Sequence, residues 1–260
     1  IMKKLLYILL AITFIGCSSE EEMTDSTEVV IPLIILPKTQ TSSENGWYLE
    51  YDYNGRKLIE SRLWINNVYQ SKIIYTYTGD LITKLEQFGE TGDVINDESN
   101  SGGSYYFYSN AGKLIERQTF YFEDGNEVIS RITNYAYNPD ETTTERWGDE
   151  IIIYSFSNNE ITSVQTSNGV ENSTSTIILD EKNNPFKNVL GYNKIDIPTF
   201  SQQNLIYYKR IYSSGITENE TVMEYTYNSD NYPTTKKQIT RILRSPNDYE
   251  IYEVNSAFTY

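Results

Sequence analysis

Two carboxyl groups placed about 5–9.5 Å apart across a glycosidic bond are the main catalytic constellation left open by this sequence. The chain has 260 residues, 36 of them acidic, and no histidine. Without histidine there is no Ser-His-Asp or Cys-His machinery and no usual zinc site. No glycine-rich phosphate loop followed by lysine occurs. The acidic pairs to inspect are Asp124 and Glu127, in Asp124-Gly125-Asn126-Glu127, and Asp140-Glu141. Both segments also read, more simply, as solvated hairpin turns. Asp180-Glu181-Lys182-Asn183-Asn184 offers oxygen donors of the kind calcium takes, but its spacing matches no known loop. The sequence therefore assigns no catalytic residue, no metal ligand and no cofactor, and it leaves any ligand-binding residues unknown.

The remaining reactive side chain is Cys17, the sole cysteine. Ile1 precedes Met2, which reads as the natural start. Lys3 and Lys4 form a positive segment, and Leu5 to Ile15 form an apolar run too short for a bilayer that needs about 20 residues. Phe14-Ile15-Gly16-Cys17 resembles the lipobox of bacterial lipoproteins, with Phe14 where that motif usually carries leucine. The resemblance implies cleavage before Cys17 and acylation of its sulfur and new amino terminus. An ordinary secretory signal with an incidental Cys17 is the alternative. Acyl chains contribute about 0.8 kcal/mol per buried methylene, so several make a durable anchor.

Ser18-Ser19-Glu20-Glu21-Glu22 resembles the acidic export tag of Bacteroidetes-type surface lipoproteins. It implies the cell surface, on the outer leaflet of the outer membrane; a solvated tether is the plainer reading. The expected organisation is a signal peptide over 1–16, a lipidated tether over 17–32 and one repeat domain over 33–260. The formal net charge of −15 becomes more negative once Lys3 and Lys4 leave. A field of that sign repels nucleic acid and anionic headgroups alike, so the anchor at Cys17 must hold the membrane by itself.

What must carry any site is a repeat. Tyrosines recur in pairs two residues apart: Tyr51-Asp52-Tyr53, Tyr75-Thr76-Tyr77, Tyr106-Phe107-Tyr108, Tyr135-Ala136-Tyr137 and Tyr225-Thr226-Tyr227. Tyr154-Ser155-Phe156, Ile177-Ile178-Leu179 and Phe258-Thr259-Tyr260 are variants of the pattern. Residues two apart share one face of a strand. Turn chemistry follows each pair, as in Asn54-Gly55, Thr78-Gly79-Asp80 and Asn138-Pro139-Asp140, and an apolar pair such as Leu58-Ile59 then restarts the chain. Each repeat is thus a β-hairpin with a looser connection to the next, and it needs its neighbours to cover its aromatic face. The expected fold is an all-β antiparallel meander of hairpins forming a long twisted sheet, open or partly closed. Tyrosine suits such a sheet, because it covers apolar area while its hydroxyl reaches a partner. A sugar-stacking ladder is the functional alternative to packing.

Two stretches depart from the pattern. Pro32 and Pro37 interrupt an apolar run, which predicts an edge strand around Leu33–Leu36. Residues 183–204 break the tempo, and the spacing of Phe186, Val189 and Leu190 predicts one short helix or ordered loop near 185–204 that plugs one end of the sheet.

The tyrosine-turn-Leu tempo resembles the YD/RHS repeat, most clearly at Tyr51–Ile59 and Tyr106–Ile115. The whole chain is similar to uncharacterised flavobacterial lipoproteins of the DUF4595-like kind. The features that carry the likeness are Cys17, Leu36-Pro37-Lys38, the hairpins, and Asn184 to Asn188. That resemblance implies a surface β-repeat domain and brings no catalytic residue with it. Three functions stay open: a non-catalytic module binding a glycan or a protein, a hydrolase using an Asp/Glu pair, and a structural envelope spacer. The first is favoured.

Overall fold

The computed structural model describes residues 34–44, 46–89, 100–195, 202–245 and 248–260. The signal segment, Cys17 and the tether lie outside the described residues. The first strands are β1 (Thr39–Ser42), β2 (Trp47–Asn54), β3 (Lys57–Ile65), β4 (Val68–Thr78), β5 (Leu81–Gly89) and β6 (Asn100–Tyr108). Next come β7 (Leu114–Glu123), β8 (Asn126–Tyr137), β9 (Thr143–Trp147), β10 (Glu150–Ser157), β11 (Glu160–Ser167) and β12 (Val170–Leu179). The last four are β13 (Leu205–Tyr212), β14 (Thr217–Tyr227), β15 (Pro233–Ser245) and β16 (Asp248–Thr259).

Every strand pairs antiparallel with its neighbours in sequence, and β1 pairs with β16, so the 16 strands close into a barrel. Closure corrects the expected open or partly closed sheet. Ladder bonds from Thr39↔Thr259 to Ser42↔Ser256 remove the free edges that an open meander would keep. The expected edge strand at Leu33–Leu36 is also displaced. Pro37 has no N–H to give a ladder, and the first strand bonds begin just after it, where Lys38 N–H donates to Thr259 O at 2.8 Å. Among the described residues, several links between repeats are tight rather than loose. Asn66 and Asn67 hold φ of 50° and 62°, and Asp124 and Asn168 adopt positive φ directly before a glycine.

The paired tyrosines point inward. Tyr51, Tyr75, Tyr106 and Tyr135 are buried in one cluster that also gathers Tyr154 and Phe156 of β10. The cluster therefore runs along the inner wall from β2 round to β10. Leu58, Ile82 and Leu114 complete this floor, each nearly or fully buried.

A β-bulge sits beside the second aromatic of several pairs. Asp52 faces Glu60 but Tyr53 faces Leu58, which leaves Ile59 as the extra residue; Thr83 and Ile115 are its equivalents in the next two repeats. A bulge disrupts the ladder and leaves backbone groups unpaired. Tyrosine hydroxyls reach the backbone there. Tyr77 Oη accepts from Leu58 N–H at 3.1 Å, and Tyr108 Oη donates to Ile82 O at 2.7 Å. Tyr225 donates to Leu205 O, and Tyr260 donates to Pro233 O, in the same way. Each hydroxyl hooks its repeat to an earlier one, which phenylalanine cannot do. This is a physical reason for tyrosine rather than phenylalanine at positions 77, 108, 225 and 260.

The segment between β12 and β13 crosses the tyrosine end of the barrel. Of the two forms expected, a short helix or an ordered loop, residues 180–195 take the loop, because successive turns use i to i+3 bonds and only Tyr192–Lys194 completes a 3₁₀ turn. Phe186 stacks on Tyr192 at 4.5 Å and meets Tyr51 edge-on at 5.2 Å. Asn188 donates to Ile35 O and to Tyr232 Oη, and its own carbonyl accepts from Arg56 Nε at 2.9 Å. Gly191, at φ 71°, lies so close to the β4–β5 turn that a Cβ would stand 2.6 Å from Asp80 O. Asp180 ties the base of the loop by accepting from Lys182 N–H, from the Asn204 backbone and side chain, and from Tyr227 Oη.

Candidate functional site

Because Tyr51 points inward, its strand neighbours Glu50 and Asp52 point outward, and so do their partners Arg62 and Glu60 on β3. Arg62 contacts Glu60 at 2.5 Å, Asp52 at 2.6 Å and Glu50 at 3.7 Å. Partial burial lowers the Arg62 pKa, but Glu60 and Asp52 outweigh that and the net shift is upward. Further round the wall, Lys84 bridges Glu86 at 2.8 Å and Glu127 at 3.0 Å, and Tyr105 donates to Glu127 at 2.6 Å. Burial pulls Lys84 down, yet its bonds to Glu86, Tyr105 and Glu127 raise it overall. Arg241 with Glu220, and Lys237 with Glu253, continue this pattern of ion pairs. The outer wall is therefore charged in the middle of its strands.

The lumen above the aromatic floor is polar. Glu145 accepts from Tyr135, Tyr154 and Arg117, at 3.4, 3.0 and 3.5 Å. Arg210 donates to Gln165 at 2.8 Å and Ser173 at 3.1 Å and pairs with Glu218 at 2.9 Å. Lys236 is largely buried, which lowers its pKa.

Aromatic side chains of the opposite phase to the tyrosine pairs lie on the outer wall. Tyr48 on β2 faces Trp64 on β3, and their rings are parallel with centroids 5.7 Å apart. Trp64 meets Tyr69 on β4 at 5.4 Å with planes 73° apart, making a corner. Glu60, Arg62 and Lys72 complete a groove of about 250 Å³ against that corner. The Trp64 Nε1–H is buried and finds no acceptor among the described residues. A larger groove of about 580 Å³ follows β14, β15, β16 and β1 and includes the exposed Thr41, Thr226, Thr235 and Ala257.

The carboxylates singled out from sequence lie in hairpin turns and on the outer wall. Asp124 occupies the β7–β8 turn at φ 51°. Glu127 lies on the outer wall, and hydrogen bonds from Tyr105 and Lys84 lower its pKa. Asp140 accepts from the Thr142 hydroxyl and N–H in the β8–β9 turn, and both bonds lower its pKa. Glu141 beside it holds φ 67°. A general acid needs the opposite shift. Asp180, considered for calcium, directs its oxygens to the loop contacts described above. Cys17 lies outside the described residues.

No family model matches the chain, and no curated protein matches it in sequence. Among solved structures, the chain is similar to a porin-like protein from Bacteroides uniformis. That likeness has 14% identity and a TM-score of 0.50, and it covers 88% of this chain and 97% of the other. A porin-like protein from Bacteroides vulgatus matches at 12% identity and a TM-score of 0.48, over 87% and 98% of the two chains. The first likeness supports the barrel fold.

Proposed function

We propose that this protein is a water-facing barrel, held to the outer membrane by lipid on Cys17, that works as a non-catalytic module binding a glycan or a protein at the cell surface. The observation that carries this reading is the charged outer wall. A membrane-crossing strand needs about 9–11 residues; β4 and β15, with 11 and 13, reach that length, whereas β1 and β9, with 4 and 5, do not. Wall chemistry supports the water-facing reading further. Each Arg or Lys facing lipid at mid-depth costs about 2–4 kcal/mol, and Arg62, Lys84, Lys237 and Arg241 all stand outside with their acidic partners. In water the same pairs are nearly neutral in energy, at about 0–1 kcal/mol each. The loop across the tyrosine end argues against a through-channel. The likeness to a porin-like protein from Bacteroides fits an outer-membrane setting, and the DUF4595-like resemblance fits a surface lipoprotein.

Detergent phase partitioning of the full chain tests this. The wild-type chain enters the detergent phase and takes up labelled palmitate, whereas residues 18–260, exported behind a cleavable secretory leader, stay in the aqueous phase as a folded monomer. If residues 18–260 remain membrane-embedded after the leader is removed, the wall itself faces lipid and the reading ends.

A further inference from the structure

We propose that the outer-wall groove formed by Trp64, Tyr69 and Arg62 holds one sugar ring of a neutral glycan. The inference rests on the ligand-binding reading above and gives it a site and a ligand class. A pyranose has a flat C–H face and a rim of hydroxyls, so it needs an aromatic wall beside polar groups that both donate and accept. The corner of Trp64 and Tyr69, with planes 73° apart, offers one ring as a platform and the other as a side wall. Tyr48 stacks behind Trp64 and holds the indole in place. The carboxylate of Glu60 accepts, and the guanidinium of Arg62, fixed at 2.5 Å from it, donates. Such a fixed pair matches vicinal hydroxyls without reorganising. The groove of about 250 Å³ is of single-ring scale rather than the size of a folded partner.

Two charge observations select a neutral glycan. The chain carries a net charge of −15, which repels polyanionic sugars. Arg62, the obvious partner for a uronate or sulfate, is already engaged by three carboxylates.

Affinity electrophoresis of the full chain in mild detergent, in native gels holding laminarin, yeast mannan or arabinoxylan, provides the test, with a pull-down from envelope extract run beside it. At least one polysaccharide retards the wild type. Trp64→Ala weakens that retardation at least tenfold, Trp64→Phe keeps part of it, and Trp147→Ala, which alters a lumen residue, leaves it unchanged. Unaltered far-ultraviolet dichroism shows that each variant is folded, and Glu60→Gln, which keeps the aromatic corner, also weakens binding. If Trp64→Ala migrates like the wild type in a retarding gel, the groove is not the site, although the ligand-binding reading stands. If no neutral polysaccharide retards the chain but a protein is captured, the inference falls and the module binds protein. If both assays are blank, the inference and the reading on which it rests fall together.

Discussion

Removing one oxygen atom from Tyr108 should destabilise the barrel more than removing one from an exposed tyrosine. The Tyr108 hydroxyl donates to Ile82 O at 2.7 Å, beside the bulge of the β4–β5 hairpin. Ile82 is 0% exposed, so water does not replace the lost donor. In Tyr108→Phe the ring still fills its place, and the change isolates the hydrogen bond. A buried carbonyl left unpaired costs about 1–3 kcal/mol. Tyr77→Phe is the reciprocal case, because it strands the Leu58 N–H at a similar bulge. Tyr121 is 41% exposed and provides the control, with an expected change within about 0.5 kcal/mol. Urea unfolding followed by tryptophan fluorescence reads the difference. With a slope of about 3 kcal/mol/M for a domain of this size, a loss of about 2 kcal/mol lowers the midpoint by about 0.7 M. Equal midpoints for Tyr108→Phe and Tyr121→Phe would refute the idea that the hydroxyls hold successive hairpins together.

Alkali should open the barrel cooperatively. Burial, partly opposed by the bond from Leu58 and reinforced by Tyr75, raises the Tyr77 pKa to about 12, and burial raises Tyr51, Tyr53 and Tyr108 as well. A raised folded pKa gives stability that is complete below the unfolded value of about 10 and is lost as pH climbs from there through about 12. Phenolate absorbance from the buried tyrosines should therefore rise together with the loss of circular dichroism; complete titration near pH 10 with dichroism intact would contradict this. Gly191→Ala should cost about 1–3 kcal/mol, since the position combines positive φ with a close approach to Asp80 O. Limited proteolysis should then cut within 183–195 well before global unfolding. Deleting residues 248–260 should expose β15 and unpair β1, giving aggregates by light scattering where the full-length barrel gives none.

The interior of this barrel was legible because its signal is local. Tyr51 and Tyr53 declare a shared face by spacing alone, and Asn54-Gly55 declares the turn. Closure is not local. A hairpin has the same pattern in an open meander and in a ring, and the strand that completes the ring, Thr39–Ser42, has four polar residues and no alternation. The bulges were hidden as well, because the extra residues Ile59 and Ile115 read as half of an apolar pair. The outer groove left one faint trace. Tyr48 has the parity of Glu50 and Asp52, and Trp64 that of Glu60 and Arg62, opposite to the tyrosine pairs. Among so many aromatic residues, that change of phase did not stand out.

The seam between β1 and β16 joins residues 220 positions apart, at Thr39 and Thr259. A chain delivered from its amino terminus has every hairpin but the last available while the ring is still a gapped ribbon. The bare flanks of β1 and of the newest strand persist until β16 is in place. Loop closure over so long a span is slow, and exposed flanks invite pairing with another copy. Folding of the barrel thus ends in a single latching event, and a holdase that shields the gap until β16 arrives would raise the yield of monomer.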